Sequence, residues 1–201
     1  NNDAPSYFVD ALKAGTRFGV IASSDDHATL PGSVHHFRTE PYDGRPNLSG
    51  FAHKGLAAIR APELTRGALF AAMAQRSTYA TTHARSLVDV IIGDGTMGQE
   101  LPADGRLRKV REVRVRFTLD GARSARVVLM RNGDEFAVKR ASGSELITAV
   151  NEVVFVDTDP LDAIAVKDAR FHSAPFVVYY VRLEDQSGAH QWSSPIWIDL
   201  P

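Results

Sequence analysis

A mixed α/β layer over residues 1–92, followed by an all-β sandwich over residues 93–201, is the architecture this 201-residue chain predicts. Three observations predict it. Up to Ile92, short apolar runs alternate with stretches of helical period, as in a layer of strands covered by helices. Beyond Gly93 the helical period stops, and apolar residues alternate one by one, with turn signals about every ten residues. The dipeptide Asn132-Gly133 between two such runs is a two-residue hairpin signal, because both positions accept positive φ.

In the first half, Pro5 to Ala14 reads as a short helix with Phe8 and Leu12 on one face and Gly15 just past its end. Arg17 to Ser24 reads as a buried strand. Thr29 to Lys54 has no period and is rich in Pro, Gly, His and Asn, so a long loop is expected there. Gly55 to Arg60 is a second strand. Pro62 opens a helix to about Gln75, with Leu64, Ala68, Leu69 and Ala72 on the buried stripe. Ser77 to Thr81 and Leu87 to Ile92 return as strands. In the second half, Val113, Val115 and Phe117 alternate, Arg126 to Met130 is β-branched and apolar, and Glu145 to Val156 is apolar again. Phe176 to Leu183 should pair with Gln191 to Ile198 across Gln186-Ser187-Gly188.

Composition excludes several classes. With 44% hydrophobic residues the chain can bury a real core, and a net charge of -1 creates no field to gather nucleic acid or anionic membrane. Zero cysteines exclude disulfides, zinc-thiolate sites and thiol nucleophiles. No apolar run approaches the roughly 18–20 residues of a membrane helix. Gly93-Asp-Gly95-Thr-Met-Gly98 spells a dinucleotide fingerprint, yet Pro102 and Asp104-Gly105 follow where a helix must start, so a turn is the better reading. The basic run Arg106, Arg108, Lys109, Arg111, Arg114 and Arg116 lacks interleaved aromatics and reads as a solvated strand face. Tyr179, Tyr180, Trp192 and Trp197 read as core.

The residues that carry chemistry close the first strand. Phe18 to Ser24 runs into Asp25-Asp26-His27, and on an extended backbone residues i and i+2 point the same way, so Asp25 and His27 could reach one metal ion. Asp26 faces away. Among the seven histidines, His53 and His83 stand close to strand ends, and His35 and His36 lie in the loop. Arg66 and Arg76 are candidate phosphate binders.

Taken in order, Ala14-Gly-x-x-x-Gly-Val-Ile-Ala-Ser-Ser-Asp-x-His27, Gly55-Leu-Ala-Ala-Ile59, Glu63-Leu-Thr-Arg66, Arg76-Ser-Thr-Tyr-Ala-Thr-Thr82, Met97-Gly98 and Trp192-Ser-Ser-Pro-Ile196 resemble the carboxy-terminal part of an uncharacterised bacterial family. That family is related to the PHP (polymerase and histidinol phosphatase) metal-dependent phosphoesterases. The resemblance implies that residues 1–92 are the last segment of a PHP-like (β/α) barrel and that residues 93–201 are an Ig-like accessory sandwich. It implies that Asp25 and His27 ligate a divalent ion (Zn, Mn or Fe), with Asp26, His53 and His83 as outer hydrogen-bonding or substrate-contacting groups. The His-x-His pair and the remaining ligands of such enzymes are missing. A two-metal centre needs ligands converging from several strands, so the chain is expected to be a fragment, inactive alone and holding metal weakly or not at all. Its partners would then be the missing amino-terminal part of the parent and a small phosphorylated substrate, with no nucleic acid or membrane. The other class left open is a non-catalytic module that binds a ligand or protein through the sandwich. Localisation stays open between cytoplasm and secretion.

Overall fold

The computed structural model describes residues 7–23, 55–82, 84–142 and 149–201. Among them, two sheets face each other across one hydrophobic core. The larger has eight strands, and its ladders are antiparallel but for one. Its centre is β10 (Phe176–Asp185), whose first six residues, Phe176 to Val181, are an unbroken apolar run because both faces are covered there. One edge of β10 pairs with β7 (Ser124–Arg131), which continues into β8 (Asp134–Ser142). Asn132 (φ 53°) and Gly133 (φ 89°) make the turn between them, the geometry that two-residue hairpins favour. The other edge is shared by β11 (His190–Ser193) and β12 (Ile196–Asp199), with Ser194-Pro195 between them. Pro195 has no N–H to give a ladder. Beyond β11 come β2 (Thr78–Thr81) and then β1 (Leu56–Ile59), both antiparallel. Beyond β12 runs the parallel β5 (Glu100–Pro102).

The smaller sheet has the order β4 (Gly95–Thr96), β3 (Val88–Ile92), β6 (Arg111–Phe117), β9 (Asn151–Asp157). Val90, Ile92, Val113, Val115, Phe117 and Phe155 point inward from it and meet Val127, Leu129, Val177, Val181 and Ile198 of the larger sheet. A second apolar layer lies on the outer face of the large sheet. Val128, Met130, Phe176, Val178, Tyr180 and Trp197 are covered there by Leu12 and Phe8 of α1 (Phe8–Lys13) and by Phe18, Val166 and Ala169. Helix α1 ends on Gly15 at φ 85°, with the N–H of Gly15 donating to Leu12 O and that of Thr16 to Ala11 O, a Schellman closure. Any Cβ at Gly15 would come within 2.7 Å of His172 Cβ. Two further helices, α2 (Arg66–Ala74) and α3 (Leu161–Ile164), are short.

The expected (β/α) barrel is not the fold. A barrel of that type needs parallel strands, each followed by a helix, whereas β1 and β2 run antiparallel and join the sheet of β10, β11 and β12. Over residues 55–92 the order strand, helix, strand, strand is the expected one, so it does not separate the two architectures. Only strand direction tells them apart, and no local period encodes direction. Residues 17–23 form no strand; instead they lie over the large sheet, with Val20 N–H donating to Ser194 Oγ at 2.8 Å. Residues 92 and 93 sit in the β3–β4 hairpin, and the ladders of β3 with β6 and of β2 with β11 join strands from both sides of that point. Leu64, expected on a buried stripe, is 90% exposed.

Candidate functional site

The metal-ligand candidates Asp25 and His27, with Asp26, His35, His36, His53 and His83, lie outside the described residues. The points where their segments attach are described, and they converge. A Cβ at Gly55 would come to 2.6 Å from Ser23 O and 2.7 Å from Ala22 Cβ, so Ser23 and Gly55 are packed against each other. From Gly55 the chain enters β1, whose Leu56 pairs with Thr81 of β2, and Thr81 pairs with Gln191 of β11. Thr82 N–H donates to His190 O at 2.9 Å, and His190 N–H donates to Thr82 Oγ1 at 3.1 Å. Ser23, Gly55, Thr82 and His190 therefore meet at one corner of the large sheet. Asp25 and His27 follow Ser23 in the chain, His53 precedes Gly55, and His83 follows Thr82. The His190 ring stacks on Trp192 with centroids 5.5 Å apart and planes 15° apart. Among the described residues, no group of three or more His, Asp or Glu could hold a metal.

Of the phosphate candidates, Arg66 is exposed in the first turn of α2. Arg76 is engaged within the fold: its Nε donates to Gly98 O and its Nη2 to Glu100 Oε1, both at 2.7 Å. Gly93 (φ 58°) and Asp94 form the β3–β4 turn, and no helix follows. A Cβ at Gly98 would come within 2.5 Å of Arg76 O, so only glycine admits this approach. A cleft of about 400 Å³ opens at the other end of β1, lined by Ile59, Tyr79, Leu87, Val88 and Phe117, with the Arg60–Asp89 ion pair (2.9 Å) among its walls.

The basic run divides by parity. Arg114 and Arg116 are exposed and pair with Glu152 at 3.5 and 2.7 Å. Arg111 does not belong to that solvated face, because its side chain is fully buried. On β6 it shares parity with Val113, Val115 and Phe117, the signal that could have placed it inside. Its cross-strand partner on β9 is Asp157, and their side chains pair at 2.9 Å. The Asp157 carboxylate accepts from four donors: Arg111 Nη2, the Asp159 N–H, Arg131 Nη1 and the Tyr179 hydroxyl, the last at 2.6 Å. Burial pushes the Asp157 carboxyl upward, yet the hydrogen bonds from Tyr179, Arg131 and Asp159 and the Arg111 charge hold it below its ordinary value. Burial and the adjacent carboxylate push the Tyr179 phenol far up. With every lone pair used, the network holds strands together and has no spare group for chemistry.

Fold and corner together define a β-sandwich protein in which Ser23, Gly55, Thr82 and His190 meet at one corner of the large sheet. Residues 14–113 match a family model described as a protein of unknown function, DUF3604. The chain is 32% identical to an uncharacterised protein of Chlamydia trachomatis, over 96% of this chain and 28% of the relative. It is 30% identical to a protein of Chlamydia muridarum over the same shares, and 28% identical to one of Chlamydia pneumoniae over all of this chain and 30% of the relative. The chain thus spans less than a third of the length of these relatives. A solved engineered protein overlaps 57% of the chain at 10% identity and TM-score 0.30, too low to carry an argument.

Proposed function

We propose that this chain is a β-sandwich module of a longer bacterial protein and that it contributes Asp25 and His27 to a metal-dependent hydrolase centre completed by the rest of the parent polypeptide. The convergence of Ser23, Gly55 and Thr82 on one corner supports the reading, since Asp25 and His27 follow Ser23, His53 precedes Gly55 and His83 follows Thr82 within a few residues in the chain. The phosphoesterase class rests on the motif resemblance alone. A zinc, manganese or iron ion bound there would activate water and neutralise charge on a phosphoester. This chain's part is to hold the ion through one carboxylate and one imidazole. Such sites need about four donors or more, so the 201 residues alone catalyse nothing.

A phosphatase assay with added Mn²⁺ or Zn²⁺, run on the 201-residue chain and on the parent, tests this. Metal-dependent turnover is expected in the parent only, falling at least about 100-fold with Asp25→Ala or His27→Ala. Turnover by the chain alone, abolished by both substitutions, would show a complete site within it. A parent indifferent to both substitutions would remove the ligand assignment.

A further inference from the structure

Helix α2 is the one described element whose sequence and surroundings disagree. From Gly67 to Ala74 it reads Gly-Ala-Leu-Phe-Ala-Ala-Met-Ala, without a polar side chain. A helix that is apolar on every side is normally buried on every side. Here Ala72 is its sole buried residue, while Ala68 and Leu69 are half-buried. Phe70 is 70% exposed and Met73 45%, with Leu64 at 90% just before the N-cap Thr65. Phe70 and Met73, three positions apart, share a stripe. The N-cap is made, with Thr65 Oγ1 accepting from Ala68 N–H at 3.2 Å, so the helix is a finished element that lacks a cover among the described residues.

We infer that the outer stripe of α2, Phe70 and Met73 with Leu64, docks against the remainder of the parent polypeptide as an intramolecular domain interface. The inference rests on the reading that a longer parent exists, and it is independent of the metal assignment. Two facts favour that occupant over a second copy of the chain. The relatives extend far beyond the matched region, since this chain covers 28–30% of them. The stripe is also small: nine residues make a helix about 14 Å long, far short of the roughly 800 Å² per partner of a standard free interface. A covalent tether supplies an effective concentration in the millimolar range, and a small apolar contact then suffices.

Hydrogen exchange read on α2 peptides, in the 201-residue chain and in the parent, tests the inference. Exchange is expected to be at least about 10-fold slower in the parent, and Phe70→Glu with Met73→Glu should return it to the rate of the shorter chain without changing that chain's own melting temperature. Equal rates in both polypeptides would overturn the inference. So would strong protection already present in the 201-residue chain, which would mean that its own segment covers α2. A dimer of the 201-residue chain that the double substitution makes monomeric would assign the face to a second copy instead. Whether a parent exists is read separately, from the mass of the polypeptide recovered from its native source: a 21.9 kDa product would remove the longer-parent reading, whereas equal exchange rates in a longer product would remove the docking face alone.

Discussion

Two groups of arginines and carboxylates lie on opposite faces of the large sheet, built from the same chemistry under different solvation. On the inner side, Arg111 and Asp157 have no exposed side-chain surface, and Tyr179 and Arg131 complete their hydrogen bonds. On the outer side, Arg126 bridges Glu135 and Glu184 at 2.8 and 2.9 Å, and Arg182 reaches Glu184 at 2.6 Å, with side chains 23–42% exposed. In water a broken pair rehydrates. In the core it cannot, so the inner network is coupled to folding as a unit, whereas the outer one is a surface adjustment.

The sharpest way to break this contrast is Asp157→Ala. It strands a buried Arg111 guanidinium, and a loss of about 3–5 kcal/mol is expected in denaturant unfolding. A loss under about 1 kcal/mol would show that Arg111 reaches water and that the two networks are alike. The same substitution alters the acid limb. Because the folded Asp157 carboxyl lies below its unfolded value of about 3.9, its contribution is fully present above that value. It is lost as pH falls through the folded one. The variant should therefore lose stability less steeply in acid than the parent sequence.

Tyr179→Phe is the intermediate case. It removes one of the four donors to Asp157 but leaves both cations, and about 1–3 kcal/mol should be lost. Since the folded phenol holds its proton well above the ordinary value of about 10, the stabilisation is complete below that pH and is lost as pH rises beyond it. Tyr79 and Tyr180, also raised by burial, keep part of this alkaline limb in the variant. Unchanged stability from neutral to alkaline pH would remove Tyr179 from the network.

Glu184→Gln should have the smallest effect. Burial raises this carboxyl, the hydrogen bonds from Arg126 and Arg182 lower it further than that, and the net direction is down. At a half-buried position that water still reaches, the change should cost under about 1 kcal/mol and should shrink as salt is added. A loss as large as that of Asp157→Ala, unaffected by salt, would mean that the outer cluster is also sealed from water.

Several elements could be read directly from local pattern. The Asn132-Gly133 turn follows from positive-φ tolerance, the Gly15 stop from the same property, and the buried side of β6 from strict alternation at Val113, Val115 and Phe117. Arg111 was equally legible by parity and was missed because a run of cations reads as solvated unless each position is assigned a face. Residues 17–23 were apolar enough for a strand, but they lie on an outer sheet face with Ile21 60% exposed, and the partial cover of Arg17 and Phe18 comes from Phe176, Trp197 and α1 rather than from ladder partners.

Side-chain chemistry and spacing along this chain thus set which residues turn and which alternate, because φ preference and face parity are properties of neighbouring residues. Tertiary structure alone decided that β1 and β2 run antiparallel into the sheet of β10, that Asp157 is the counter-ion of Arg111, and that Ser23, Gly55 and Thr82 share a corner. Those are pairings between segments far apart in the chain, and their energies depend on partners that no local window contains.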